Sequence, residues 1–162
     1  MKIIDFIKGE RFRVYFLSIT ITLLVGTIAG IITSDSGDIY ATLNKPPLAP
    51  PAWVFPVVWT ILYILMGISL GKVLIKGKDD LKQRDKAVLN YSIQLFVNFF
   101  WSIIFFRWQF YDAAFFWCIL LFVFVCITKM SFDRIDRTAS KLLIPYLVWV
   151  AFATYLTRGF SN

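Results

Sequence analysis

The chain has 162 residues, of which 59% are apolar, 19% aromatic and 17% charged. A water-soluble domain averages about 45–50% apolar with about 25% charge, so both departures point to a fold whose solvent is lipid. Five spans of about 20 residues would use most of the chain; 1–162 reads as one membrane domain with no room for a separate soluble catalytic domain.

Five apolar runs are long enough to cross about 30 Å of hydrocarbon: 14–33, 53–75, 87–106, 113–132 and 142–160. All are expected to be helices, because an isolated strand leaves backbone groups unpaired in lipid. The fold class is therefore all-α integral membrane, a five-transmembrane-helix bundle. The first run is too long for a signal-peptide core and ends without a small-x-small cleavage site, so it reads as retained.

An odd number of spans puts the termini on opposite sides. Fourteen Lys and Arg residues fall on the face holding the N-terminus, against Lys45, Arg107 and Arg158 on the other. The positive-inside rule makes the N-terminus cytoplasmic and the C-terminus external, with the bacterial plasma membrane the expected setting. The same asymmetry accounts for the net charge of +7 and a pI near 9.5. Nucleic acid is not an expected partner; the bilayer is.

Between the first two spans, residues 34–52 form one long external loop, and five of the six prolines lie between Pro46 and Pro56. Repeated proline fixes φ and removes donors, which predicts a stiff polyproline-like strap. Such a strap suits a lid over the outer mouth of the bundle, or a connector that only sets helix spacing. The turn at 107–112 makes the third and fourth spans antiparallel neighbours.

Every acidic residue lies in a loop or at a span boundary, and the chain has no histidine. Proton-coupled transport and intramembrane hydrolysis, which call for an ionisable group or a metal at depth, are thereby disfavoured. Cys118 and Cys126 are eight residues apart in one apolar run, without disulfide geometry or metal-site spacing. No metal site is read.

The six tryptophans divide by depth. Trp53, Trp108 and Trp117 fall at or near the outer interface, where an aromatic belt needs no function. Trp59, Trp101 and Trp149 lie deeper, in the outer half of three different helices, and each has companions at helical spacing. Trp59, Tyr63, Met66 and Leu70 form one stripe; Gln94, Asn98, Trp101 and Phe105 a second; Trp149 and Ala153 a third. Gln94 and Asn98 turn the third span's face inward. One reading makes the amides interhelical glue and the indoles core filling. The other makes the three indoles the walls of one hollow beneath the strap, for a flat hydrophobic ligand carrying a few polar atoms. Gly26-x-x-x-Gly30 and Gly67-x-x-x-Gly71 permit close helix approach, within or between subunits. A weak cholesterol-type pattern runs from Val150 through Tyr155 to Arg158.

Four groups of residues together resemble the translocator protein family, also called the tryptophan-rich sensory protein or peripheral benzodiazepine receptor family. They are Tyr40-x-x-Leu43-x-Lys45-Pro46; Pro50-Pro51-x-Trp53-x-x-Pro56-x-x-Trp59-x-x-x-Tyr63-x-x-Met66-Gly67; Gln94-Leu95-x-x-Asn98-x-x-Trp101-x-x-x-Phe105-Phe106; and Leu143-x-Pro145-Tyr146-Leu147-x-Trp149-x-x-Phe152-Ala153-Thr154. The resemblance implies a five-helix bundle with a ligand cavity at the first-loop end, binding porphyrins such as protoporphyrin IX. It also implies isoquinoline carboxamide and benzodiazepine drugs as ligands, sterol for some members, and frequent homodimers. Residues matching the family's cavity positions are Tyr40, Pro51, Trp59, Tyr63, Asn98, Trp101, Trp149 and Ala153. Two departures stand out: Leu48 replaces a tryptophan common in the strap, and Ile119 an acidic residue common in the early fourth span.

The function expected from this resemblance is a membrane receptor or carrier for porphyrin, acting as sensor, scavenger or transporter. Stacking among Trp59, Trp101 and Trp149 would hold the ligand, Asn98 or Tyr40 would orient its polar edges, and no cofactor is required. A second reading is light- and oxygen-dependent porphyrin breakdown, for which Trp59 and Trp149 match the family's implicated tryptophans. A third is a scaffold whose basic inner face recruits a partner or anionic lipid.

Overall fold

The computed structural model describes residues 2–160, with side chains from residue 9 onward. Helix α1 runs Lys2–Ile32, a short α2 Ser36–Thr42, α3 Val54–Lys76, α4 Leu81–Ser102, α5 Tyr111–Asp133, α6 Arg137–Leu142 and α7 Ile144–Phe160. A π-helical turn, Ile103–Arg107, continues α4. Among the described residues five segments are long and apolar enough to cross a membrane, and α6 with α7 makes the fifth. The protein is a multi-pass helical membrane protein.

The helices outrun the apolar runs wherever a polar cap extends them. Asp80 accepts from the Gln83 amide at 3.0 Å and starts α4 at Leu81, six residues before the apolar run. Asp136 accepts from the amides of Thr138 (2.6 Å) and Ala139 (2.9 Å) and starts the fifth span at Arg137. Pro145 lacks the N–H that would bond back across the next turn, and the span breaks there between α6 and α7.

Helix α1 packs antiparallel on α3, α4 on α5, α5 on α7, and α6 wedges against α3 and α5. The α1–α3 seam is built on glycine. A Cβ on Gly67 would lie 2.5 Å from the Ile19 Cα, and one on Gly71 2.6 Å from the Tyr15 ring. Farther along, a Cβ on Gly26 would strike the Tyr63 ring, whereas Gly30 faces open space. The two helices touch from Tyr15 to Gly26 and diverge beyond it, toward the end that carries the first loop (the strap end).

That loop is only partly a polyproline strap. It opens with α2, which the proline-dominated reading did not anticipate, and bends at Pro47-Leu48. The Ala49 amide donates to the Pro46 carbonyl at 3.2 Å, and Leu48 takes φ 68°. This is the type II pattern, proline second and a left-handed residue third. Leu48, 83% exposed at the tip, touches nothing that bears on the bundle interior. The strap is held instead by its prolines: Pro46 lies against Gly159, Tyr155 Oη donates to the Pro47 carbonyl at 2.8 Å, and Tyr40 Oη to the Pro50 carbonyl at 2.6 Å.

Opposite the strap, at the basic end, Asp136 also pairs with Lys76 Nζ at 2.7 Å. Burial opposes its charge, but the Lys76 contact and the two amides outweigh burial and hold the carboxyl below its ordinary value. A depressed folded-state pKa stabilises the fold above the unfolded value of about 3.9 and loses that contribution as pH falls through the folded one. We expect thermal stability in detergent to drop as pH is lowered below about 4, and Asp136→Asn to flatten that limb of the profile. We also expect Gly67→Ala to cost about 1–3 kcal/mol through the forced shift of α1. Gly30→Ala, in open space, should leave the melting temperature level or slightly raised.

Candidate functional site

Three helices meet at a buried chain of hydrogen bonds. Tyr63 Oη on α3 donates to Asn98 Oδ1 at 3.1 Å; Asn98 Nδ2 on α4 donates to Tyr146 Oη at 2.7 Å; Tyr146 Oη on α7 donates to Gln94 Oε1 at 2.8 Å. All four side chains are buried, Asn98 completely. Gln94 and Asn98 thus do what the glue reading expects, and the Asn98 amide is engaged within the protein. Tyr146, part of the fourth motif but not among the expected cavity positions, lies three residues before Trp149 and seven before Ala153, on the same helical stripe.

An aromatic layer sits on this chain, toward the strap. The Trp59 ring lies 6.0 Å from Trp101, 5.7 Å from Tyr63 and 6.2 Å edge-on from Tyr146, and Trp101 stacks on Phe105 at 5.6 Å. These centroid distances are those of interacting aromatic pairs. On the α1 side the layer opens into a hollow of about 290 Å³. Phe55, Trp59, Tyr63, Trp101 and Phe106 form one wall; Gly26, Thr27, Gly30 and Thr33 form the other. The hollow is a slot, aromatic on one side and lined by glycines and mostly small side chains on the other, where α1 and α3 diverge.

The expected site residues separate into groups around it. Trp59, Tyr63 and Trp101 line the slot, and Asn98 lies directly beneath as the partner of Tyr63. Tyr40 and Ala153 border a crevice of about 10 Å³ with Phe55, Trp101, Phe105 and Phe160, room for one water at most. Trp149 does not line the slot: its ring packs edge-on at 5.9 Å against Phe55, which does. Pro51 is exposed, and its carbonyl accepts from the Val54 amide at the start of α3. Only two of the three deep indoles therefore share one hollow. Phe55 was overlooked; it lies one turn before Trp59 and extends the Trp59–Tyr63 stripe. Ile119 is partly exposed on α5, away from the slot.

The polar atoms available to a ligand differ from those expected. Tyr40 Oη is spent on Pro50, and burial raises its phenol above the ordinary value, so it stays a donor. By contrast the indole N–H of Trp101, on a residue 3% exposed, has no acceptor among the described residues, and neither has that of Trp149. A buried unpaired donor is costly, by about 1–3 kcal/mol. Trp117 shows the satisfied alternative: its Nε1 donates to the Val97 carbonyl at 2.7 Å, tying α5 to α4.

Five apolar helices, a glycine-built seam and an aromatic slot under a pinned proline strap define a polytopic helical membrane protein with an intramembrane cavity. The TspO/MBR family pattern matches residues 18–161, and the chain belongs to that family. It is 42% identical over 141 residues to the tryptophan-rich protein TspO of Chlorobaculum tepidum, covering 86% of this chain and 89% of that one. It is 36% identical over 117 residues to the tryptophan-rich sensory protein of Cereibacter sphaeroides, covering 72% of this chain and 71% of that one. With the translocator protein of Homo sapiens it shares 36% over 120 residues, 72% of this chain and 69% of that one.

Removing the Tyr146 hydroxyl orphans Asn98 Nδ2 and Gln94 Oε1 together, whereas removing that of Tyr63 costs one bond. Interhelical hydrogen bonds in membranes average about 0.6 kcal/mol. We expect Tyr63→Phe to lower stability by about that much and Tyr146→Phe by about 1–3 kcal/mol, read from unfolding in mixed micelles.

Proposed function

We propose that the protein binds porphyrins such as protoporphyrin IX, and similar flat hydrophobic molecules, in the slot, serving as a sensor, scavenger or carrier in the bacterial plasma membrane. The N-terminus lies in the cytoplasm and the strap outside, in keeping with the basic residues gathered at the opposite end. One observation carries the reading: two indoles 6.0 Å apart face a helix wall where Gly30 presents no side chain and meets open space, which leaves room suited to a plate-like ligand.

A cavity of about 290 Å³ lies at the lower bound of small-molecule sites, about 300–1,000 Å³. A complete tetrapyrrole needs more, and rotation of Phe55 would gain it: Phe55 lines both the slot and the crevice beside Ala153, as Trp101 and Phe106 do, and of these it is the one packed against Trp149. That movement would bring Trp149 to the ligand's edge. Each aromatic contact contributes about 0.5–1.5 kcal/mol beyond burial. Binding of this kind needs no acid, base or cofactor.

Gly30→Leu tests the reading without touching a tryptophan, since its side chain grows into the slot from a position with open space. We expect protoporphyrin IX to quench the fluorescence of the parent protein, and Gly30→Leu to weaken that titration at least about tenfold, a loss of about 1.4 kcal/mol, with the melting temperature unchanged. Parent-like affinity in Gly30→Leu and in Trp59→Phe/Trp101→Phe would place the ligand elsewhere.

A further inference from the structure

Beyond the slot, at its strap end, lies a second hollow of about 270 Å³, bounded by Ile32, Thr33, Asp35, Ile39, Arg107 and Gln109, among others. The two adjoin, with Thr33, Ser36 and Phe106 lining both. The inner one is walled by rings and the outer one by polar groups, so together they have the amphipathic profile of one ligand. Arg107 is placed there by an irregularity in the backbone. The Trp108 amide donates to the Ile103 carbonyl at 2.9 Å and the Phe110 amide to the Ile104 carbonyl at 3.2 Å, both wider than an α-turn, and Gln109 takes φ 56°. Through this turn Phe105 and Phe106 both touch Trp101, and Arg107 comes to the vestibule wall. Such π turns inside α-helices occur frequently at functional sites.

Two donors along this path have no partner among the described residues. Among the described residues Arg107 forms no ion pair, while Arg158 lies 3.9 Å from Asp112 and Lys45 sits over the Tyr40 ring at 5.0 Å. Deeper in, the buried Trp101 indole N–H lacks an acceptor. A guanidinium is suited to bidentate pairing with a carboxylate. Asp35, on the same wall, is the one acidic group of the vestibule and works against an anion there.

We propose that the ligand of the slot is an amphipathic carboxylate: a flat aromatic body lies between the indoles and the α1 glycines, an acceptor on that body takes the Trp101 N–H, and a carboxylate reaches out to Arg107. This rests on the slot reading above and adds a charge requirement to it.

The test compares protoporphyrin IX, which carries two carboxylates, with its dimethyl ester, which has the same ring and no charge. Tryptophan quenching is followed in nanodiscs of zwitterionic lipid. The parent protein should prefer the diacid by about tenfold, the worth of one charge-assisted hydrogen bond. Arg107→Gln should bring that ratio close to one, Arg107→Lys should retain most of it, and Asp35→Asn should widen it. A parent that binds acid and ester alike, or an acid preference that survives Arg107→Gln, overturns the carboxylate proposal while leaving the slot intact. Failure of the parent to bind either porphyrin removes the slot reading and this one with it.

Discussion

The bundle is organised around the chain of hydrogen bonds Tyr63–Asn98–Tyr146–Gln94. In lipid there is little hydrophobic force to press one helix against another, because the tails are as apolar as the side chains. Packing and buried polar contacts must fix which faces meet. This chain selects the register of α3, α4 and α7 together, since turning any of the three away leaves an amide or hydroxyl facing hydrocarbon. The remaining helices are tied in by shorter links of the same kind. Thr22 on α1 bonds to Tyr91 on α4 at 2.7 Å, Thr128 on α5 to the Asn90 carbonyl on α4 at 3.1 Å, and Ser69 on α3 to the Ala139 carbonyl on α6 at 2.7 Å.

Because those polar groups serve the fold, it is the aromatic layer above them that faces the slot. The Tyr63 hydroxyl helps bind the bundle while the face of its ring meets Trp59. One residue therefore connects the polar chain to the wall of the slot, and the Gly26 backbone against that ring fixes its position from the other side. The strap adds a cover that is anchored to α7 at Gly159 and Tyr155 and to α2 at Tyr40. A cover held by those contacts is a roof rather than a loose flap, which leaves the divergence between α1 and α3 as the more open side of the slot.

How much of this was legible depends on the length scale of each cause. The five spans and the inward faces of α3 and α4 follow from hydropathy and from residues one or two turns apart, so the stripes carrying Trp59, Tyr63, Asn98 and Trp101 were readable from spacing, while their meeting at one hollow was one of two open readings that the family resemblance favoured. Trp149 shares their depth, but it packs on Phe55, a side chain from another helix, and no stripe on α7 encodes that. The strap's stiffness was readable in its prolines; its bend was not, because the left-handed position is taken by Leu48 where glycine would have announced it. The π turn is likewise silent: Ile-Ile-Phe-Phe-Arg contains no glycine or proline, and Arg107 reads only as a minority charge on the strap side.

The position of the slot follows from the same economy of side chains. An interior packed to ordinary density leaves few voids larger than a water, so an open volume of about 290 Å³ requires a structural reason. On α3 the residues facing α1 are Gly71, Gly67 and Tyr63, one turn apart, and the last replaces hydrogen by a phenol ring. That change of size is the wedge that ends the close seam. Glycine at position 26 lets α1 pass the ring, and glycine at 30 adds nothing to fill the space beyond it. Two glycines and one tyrosine thus convert a helix–helix contact into a cavity wall. The two indoles are aligned on the opposite wall by Asn98, three residues before Trp101, and by Tyr63, four residues after Trp59. The cavity is a consequence of how α1, α3 and α4 are fastened at greater depth, which is why its geometry depends on the hydrogen-bond chain that no ligand needs to touch.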